Sequence, residues 1–136
     1  PERIARGAAL GVAMGVLPTF GLGIILSIAA AFILRANKAA SVLGSFIMNP
    51  ITSPFFWTAS LVTGSLLTGE DYSTIYAKIS KNGILTGALD TYMVFLAGNI
   101  IVTAATTFAS YYLIKGAIIR HRRNKEKKRA RKLAGL

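Results

Sequence analysis

Thr19, Asn49, Thr52 and Ser53 are polar side chains inside otherwise apolar runs, each within two residues of a proline: Pro18-Thr19-Phe20-Gly21 in one run, Asn49-Pro50-Ile51-Thr52-Ser53-Pro54 in the next. In hydrocarbon such groups must find a hydrogen-bond partner or line a hydrated cavity. With Pro18, Gly21 and Pro50 they form a candidate path for an ion or small polar solute, and Asn99 is a further candidate either to face them or to act as helix-to-helix glue. The competing reading is local: Asn, Ser and Thr also cap half-helices and satisfy nearby backbone. Bond-making chemistry is not expected. There is no cysteine, the lone His121 sits among basic residues, and no carboxylate pair offers an acid/base couple, so neither an enzyme, a cofactor nor a metal site is predicted.

These residues need elements that hold them at depth. Between Arg6 and Arg35 lie 28 residues, about 42 Å as one helix against a hydrocarbon core of about 30 Å. Halving the run at Pro18 gives two short pieces, which predicts a re-entrant hairpin; a single kinked span is the alternative. The second stretch, 39–69, carries its Asn-Pro break a third of the way along, and a new helix should begin near Pro50 or Pro54 with its N-terminus toward an anion or polar group. The third, 84–118, has a ruler of its own. Tyr92 and the pair Tyr111-Tyr112 stand about 20 residues apart, about 30 Å, as for aromatic belts at two interfaces. The ruler places Asp90 at the outer interface rather than at depth. A weak internal repeat is also visible, because Arg6 precedes Pro18 and Lys38 precedes Pro50 by the same interval.

The expected fold class is therefore all-α: an integral membrane helical protein with Pro-broken, re-entrant helices, a membrane domain over 1–119 and a basic tail over 120–136. Composition agrees, with 53% hydrophobic and only 15% charged residues. The net charge of +11 is concentrated in the tail, where Arg120, Arg122, Arg123, Lys125, Lys127 and Lys128 are the candidate contacts for anionic lipid headgroups. Without interleaved aromatics this run does not read as a nucleic-acid binder. Positive-inside bias puts the C-terminus in the cytoplasm with Arg3, Arg6, Arg35 and Lys38, leaving Lys78 and Lys81 outside. Gly7, Gly11 and Gly15 recur every four residues, a helix-packing face that would serve either a homo-oligomer seam or intrachain packing. Phe55, Phe56 and Trp57 are expected to pack, to anchor at an interface or to line a pore. A first residue of Pro rather than Met reads as a trimmed or incomplete start, and the first apolar run as a membrane segment rather than a cleaved signal.

The pattern Pro1-x-x-Ile4-Ala5-x-Gly7-x-Ala9-x-Gly11, then Pro18-x-x-Gly21, Leu34-Arg35-x-Asn37 and Asn49-Pro50-x-Thr52 with Gly64 behind it, resembles the prokaryotic domain-of-unknown-function family 2062. The resemblance implies a small bacterial or archaeal inner-membrane protein, sometimes joined to glycosyltransferase-like domains, and implies no activity. It makes a glycosyltransferase-type partner and a lipid-linked envelope intermediate candidates. The leading functional expectation is a membrane transport protein or channel, homo-oligomeric, with its site at the helix breaks. The alternatives are a protein that binds or moves a polyprenyl-phosphate or phospholipid, and a non-catalytic scaffold for envelope biosynthesis.

Overall fold

A computed structural model describes residues 1–71, 73, 74, 77, 80, 81 and 83–135; Lys78, on which part of the charge argument rests, lies outside the described residues. The helices are α1 (Glu2–Val16), α2 (Gly23–Ile33), α3 (Lys38–Ser45), α4 (Ser53–Thr68) and α5 (Ile84–Leu133), and no strand occurs among the described residues.

The first apolar run divides for a local reason. Leu17 precedes a proline and is extended, with φ −61° and ψ 144°, because the proline ring crowds the helical conformation of the residue before it. Pro18 also has no N–H to give the carbonyl four residues back, and the Thr19 hydroxyl donates to that Met14 oxygen instead, at 3.3 Å. Phe20 and Gly21 then take positive φ values of 50° and 90° and turn the chain. α2 returns alongside α1 and closes with Arg35 at φ 51°, its N–H and that of Ala36 bonded back to Phe32 and Ala31, a Schellman-type end. Asn37 caps α3 by accepting from the Ala40 N–H at 2.9 Å. Its own N–H reaches the Arg3 carbonyl at 2.9 Å, and Arg3 Nε donates to the Arg35 carbonyl at 3.2 Å. The run thus leaves and comes back to the same end of the molecule.

The second run behaves differently. Gly7, Gly11 and Gly15 of α1 lie against Asn37, Ser41 and Ser45 in that order, so α3 is parallel to α1. Gly64 lies against Val94 and Gly98 against Ser60, so α4 is antiparallel to α5. α1 is antiparallel to α5 as well, with Glu2 near Lys115 and Val16 near Asn99. α3 and α4 therefore run in one direction as a broken rod. The equal Arg6–Pro18 and Lys38–Pro50 intervals are not a structural repeat, since the chain reverses after the first break and continues after the second. α5 itself runs 50 residues without interruption, carrying the basic tail as a helix beyond position 119.

The interior is made of small and polar residues. Its largest fully buried side chains are Val16, Asn99, Ser27, Ser41 and Ser60, whereas Phe32 (68% exposed), Ile33 (75%) and Leu66 (81%) face outward. Ser41 donates to the Ser27 carbonyl at 2.8 Å, joining α3 to α2. Val12, Val16 and Phe56 form an apolar cluster with Ile47, Met48 and Val102 around it.

Candidate functional site

The two breaks meet at one cavity of about 530 Å³. Pro18, Thr19 and Gly21 line it from the first, Met48 and Ser53 from the second, and Trp57, Tyr92 and Phe95 contribute aromatic walls. Ile47 and Met48, entering the second break, pack against the cluster of Val12, Val16 and Phe56, as does Val102, which lies halfway between Tyr92 and Tyr111 in sequence. The cavity thus extends from the middle of the tyrosine ruler toward its Tyr92 end.

Of the predicted path residues, Pro18, Thr19, Gly21 and Ser53 line this space, whereas Asn49, Pro50, Thr52 and Asn99 do not. Asn49 and Thr52 satisfy each other. Asn49 Oδ1 accepts from the N–H groups of Ile51 (2.9 Å) and Thr52 (3.0 Å), while Thr52 Oγ1 accepts from the Asn49 N–H at 3.1 Å and donates to the Ile47 carbonyl. This reciprocal arrangement has the logic of a capping box. Ser53 Oγ donates to the Asn49 carbonyl at 2.7 Å, and the Ser53 N–H to the same oxygen at 2.8 Å. At the start of α4 the N–H groups of Thr52 and Ser53 are occupied by Asn49 and position 54 is proline, so these three positions offer no donor to an anion. No lysine or arginine lines the cavity among the described residues. Thr52→Val should remove the half of this lock made by Oγ1, its bonds with the Asn49 N–H and the Ile47 carbonyl, and cost about 1–2 kcal/mol, read as a lowered midpoint of thermal unfolding; an unchanged midpoint would mean the break is held by something else.

Of the two roles open to Asn99, its hydrogen bonds match helix-to-helix glue rather than a place beside the Asn49 turn. Completely buried on α5, it donates from Nδ2 to the Val16 carbonyl and to Ser60 Oγ, both at 3.1 Å, and accepts from Thr103 Oγ1 at 3.3 Å. It ties the frayed end of α1 to α4 and α5. Among the aromatic trio, Trp57 lines the cavity, Phe56 is buried and Phe55 is exposed with its ring edge-on to Phe56 at 5.5 Å. The tail cations from Arg120 onward are all exposed.

At the far end of α1, Glu2 bonds Lys115 at 3.1 Å and lies 3.6 Å from Arg6. The Lys115 hydrogen bond, then the charges of Lys115 and Arg6, hold its carboxyl below the usual value. This pair fastens the N-terminus of α1 to α5 at the end opposite the breaks.

The signature positions thus have structural duties: Pro18 and Gly21 in the reversing turn, Arg35 and Asn37 in the link from α2 to α3, Asn49 and Thr52 in the reciprocal lock, and glycines where backbones meet. A family described as an uncharacterised protein conserved in bacteria, DUF2062, matches residues 1–127. The chain belongs to DUF2062. No curated protein and no solved structure matches it. Sequence reasoning missed Ser41, Ser45 and Ser60 of this DUF2062 chain and gave Asn37 no packing role; these residues receive the glycine faces or bond Asn99. Their signal was available: Asn37, Ser41 and Ser45 repeat the four-residue spacing of Gly7, Gly11 and Gly15. Because α3 covers that glycine face, it is not open to a second copy.

Proposed function

We propose that this DUF2062 chain is a membrane transport protein whose site is the cavity between the two helix breaks, and that it takes a small polar solute in preference to an ion. The observation that carries this reading is the convergence of both breaks on one space. Irregular backbone at membrane depth is tolerated where it borders a cavity or protein, and broken helices flank substrate sites in transporters. Hydroxyls and aromatic rings without a nearby cation suit a neutral solute better than an inorganic ion.

A membrane setting is supported by the inverted distribution of side chains, small and polar inside, bulky and apolar outside. It is supported also by α5, long and apolar enough to cross a bilayer. In the proposed arrangement α1 and α2 form a re-entrant hairpin, α3 and α4 a broken span and α5 a span, in the bacterial inner membrane. α1 has 15 residues, about 22 Å, short of the core thickness. Arg3, Arg6, Arg35 and Lys38 then share the cytoplasmic end with Lys115 and the tail. A homo-oligomer would use the outward apolar face of α2, including Ile25 and Phe32.

A second reading keeps the cavity and changes the cargo to the headgroup of a lipid-linked envelope intermediate, handled with a glycosyltransferase-type partner; the Trp57 and Tyr92 rings are suited to stack on a sugar.

The absence of native cysteine makes the test clean. Phe95→Cys is expected to react with a thiol reagent in proteoliposomes and, once modified, to cut uptake of a small polyol at least fivefold. Leu66→Cys, on the outer surface, should be indifferent. Uptake no faster than in protein-free liposomes, for ions and neutral solutes alike, would leave the chain as a scaffold.

A further inference from the structure

A second cleft lies at the opposite end of the molecule from the breaks. It has about 410 Å³ and is walled by Leu10 of α1, Leu34 at the end of α2, and Thr107, Phe108 and Tyr112 of α5, with Arg6 at its mouth. Tyr111 also lines it, and Lys115 Nζ lies 3.5 Å from the Tyr111 hydroxyl. Two cations, Arg6 and Lys115, share one carboxylate, Glu2, so the mouth keeps a net positive charge.

We infer that this cleft seats a phospholipid with an anionic headgroup. One acyl chain lies along Leu10, Leu34 and Phe108, and the phosphate meets Arg6 and Lys115. The occupant is fixed by complementarity, since an apolar trough ending in a net positive mouth fits an amphiphile that carries its negative charge at one end. This seat shares no residue with the cavity at the breaks and none with the basic tail.

The test is native mass spectrometry of the detergent-solubilised full chain with phosphatidylglycerol, phosphatidylcholine or sn-glycerol 3-phosphate. Phosphatidylglycerol should be retained, and at least tenfold more tightly than phosphatidylcholine. Arg6→Gln should weaken retention about tenfold and Phe108→Ala about threefold; both residues are exposed, and an unchanged circular dichroism spectrum would verify folding. Neutralising Lys127, Lys128 and Arg129 to Gln should leave retention intact. Equal retention of the two lipids, indifference to Arg6→Gln, loss confined to the tail variant, or displacement by glycerol phosphate would each overturn the assignment, the last by pointing to a free phosphate site.

Discussion

Gly98→Leu is expected to abolish the folded protein. A Cβ at position 98 would collide with the Ser60 carbonyl oxygen and with the Gly64 backbone nitrogen, and the reciprocal position, Gly64, is just as closed by the Val94 carbonyl. Overpacking usually costs about 1–3 kcal/mol because neighbouring side chains yield. Here the neighbours are backbone, so relief demands that α4 and α5 move apart as whole helices, and with them the Asn99–Ser60 hydrogen bond. The loss should appear as aggregation on size exclusion in detergent. Gly116→Leu on the same helix meets nothing within 4 Å and should elute like the parent. A monodisperse Gly98→Leu protein with parental stability would show that α4 and α5 do not pack as described. Gly11→Leu should fail similarly, since its place is filled by the Ser41 carbonyl.

The second large effect is expected from Asn99→Leu, which keeps the number and branching of side-chain heavy atoms but is bulkier and removes every polar atom. It strands the Val16 carbonyl and takes a donor from Ser60, both buried. An unsatisfied buried group costs about 1–3 kcal/mol in general, while interhelical hydrogen bonds in bilayers average about 0.6 kcal/mol. A loss of about 1–4 kcal/mol is the resulting expectation, the upper end applying if water cannot reach Val16. Because Ser60 also donates to Phe56 at 2.7 Å, an Asn99→Ala/Ser60→Ala double-mutant cycle should show a coupling of about 0.5–2 kcal/mol. A single-mutant change below about 0.5 kcal/mol would mean that Asn99 does not hold the end of α1.

What could be read from residues alone divides along physical lines. The two breaks were legible because proline acts locally: it forbids a helical predecessor and removes a donor whatever the tertiary context. The glycine face of α1 was legible as a packing surface for the same reason, but its partner was not, since spacing says how close a helix can come and not which one does. The polar residues divided in the same way. Asn49 and Thr52 turn inward on their own backbone, a local outcome that their spacing of three allows. Asn99 bonds a carbonyl 83 positions away, and no short-range pattern foretells such a pairing. Thr19 does both, capping Met14 while facing the cavity.

The continuity of α5 has a mechanical consequence. A rod pinned where Gly98 crosses Ser60 and Gly64 has arms of very unequal length: Tyr92, on the cavity wall, is about 9 Å along the axis from that pivot, and Lys132 about 51 Å. Rocking of the rod about that crossing by 1 Å at Tyr92 would strain the Glu2–Lys115 pair and sweep the last cations through roughly five or six times that distance. The farthest of them also stand about 30 Å beyond Tyr112, well past a screening length of about 8 Å in physiological salt. On the proposed membrane reading the tip of the tail would serve less as a glove for the bilayer than as a pointer to small displacements at the other end of the helix.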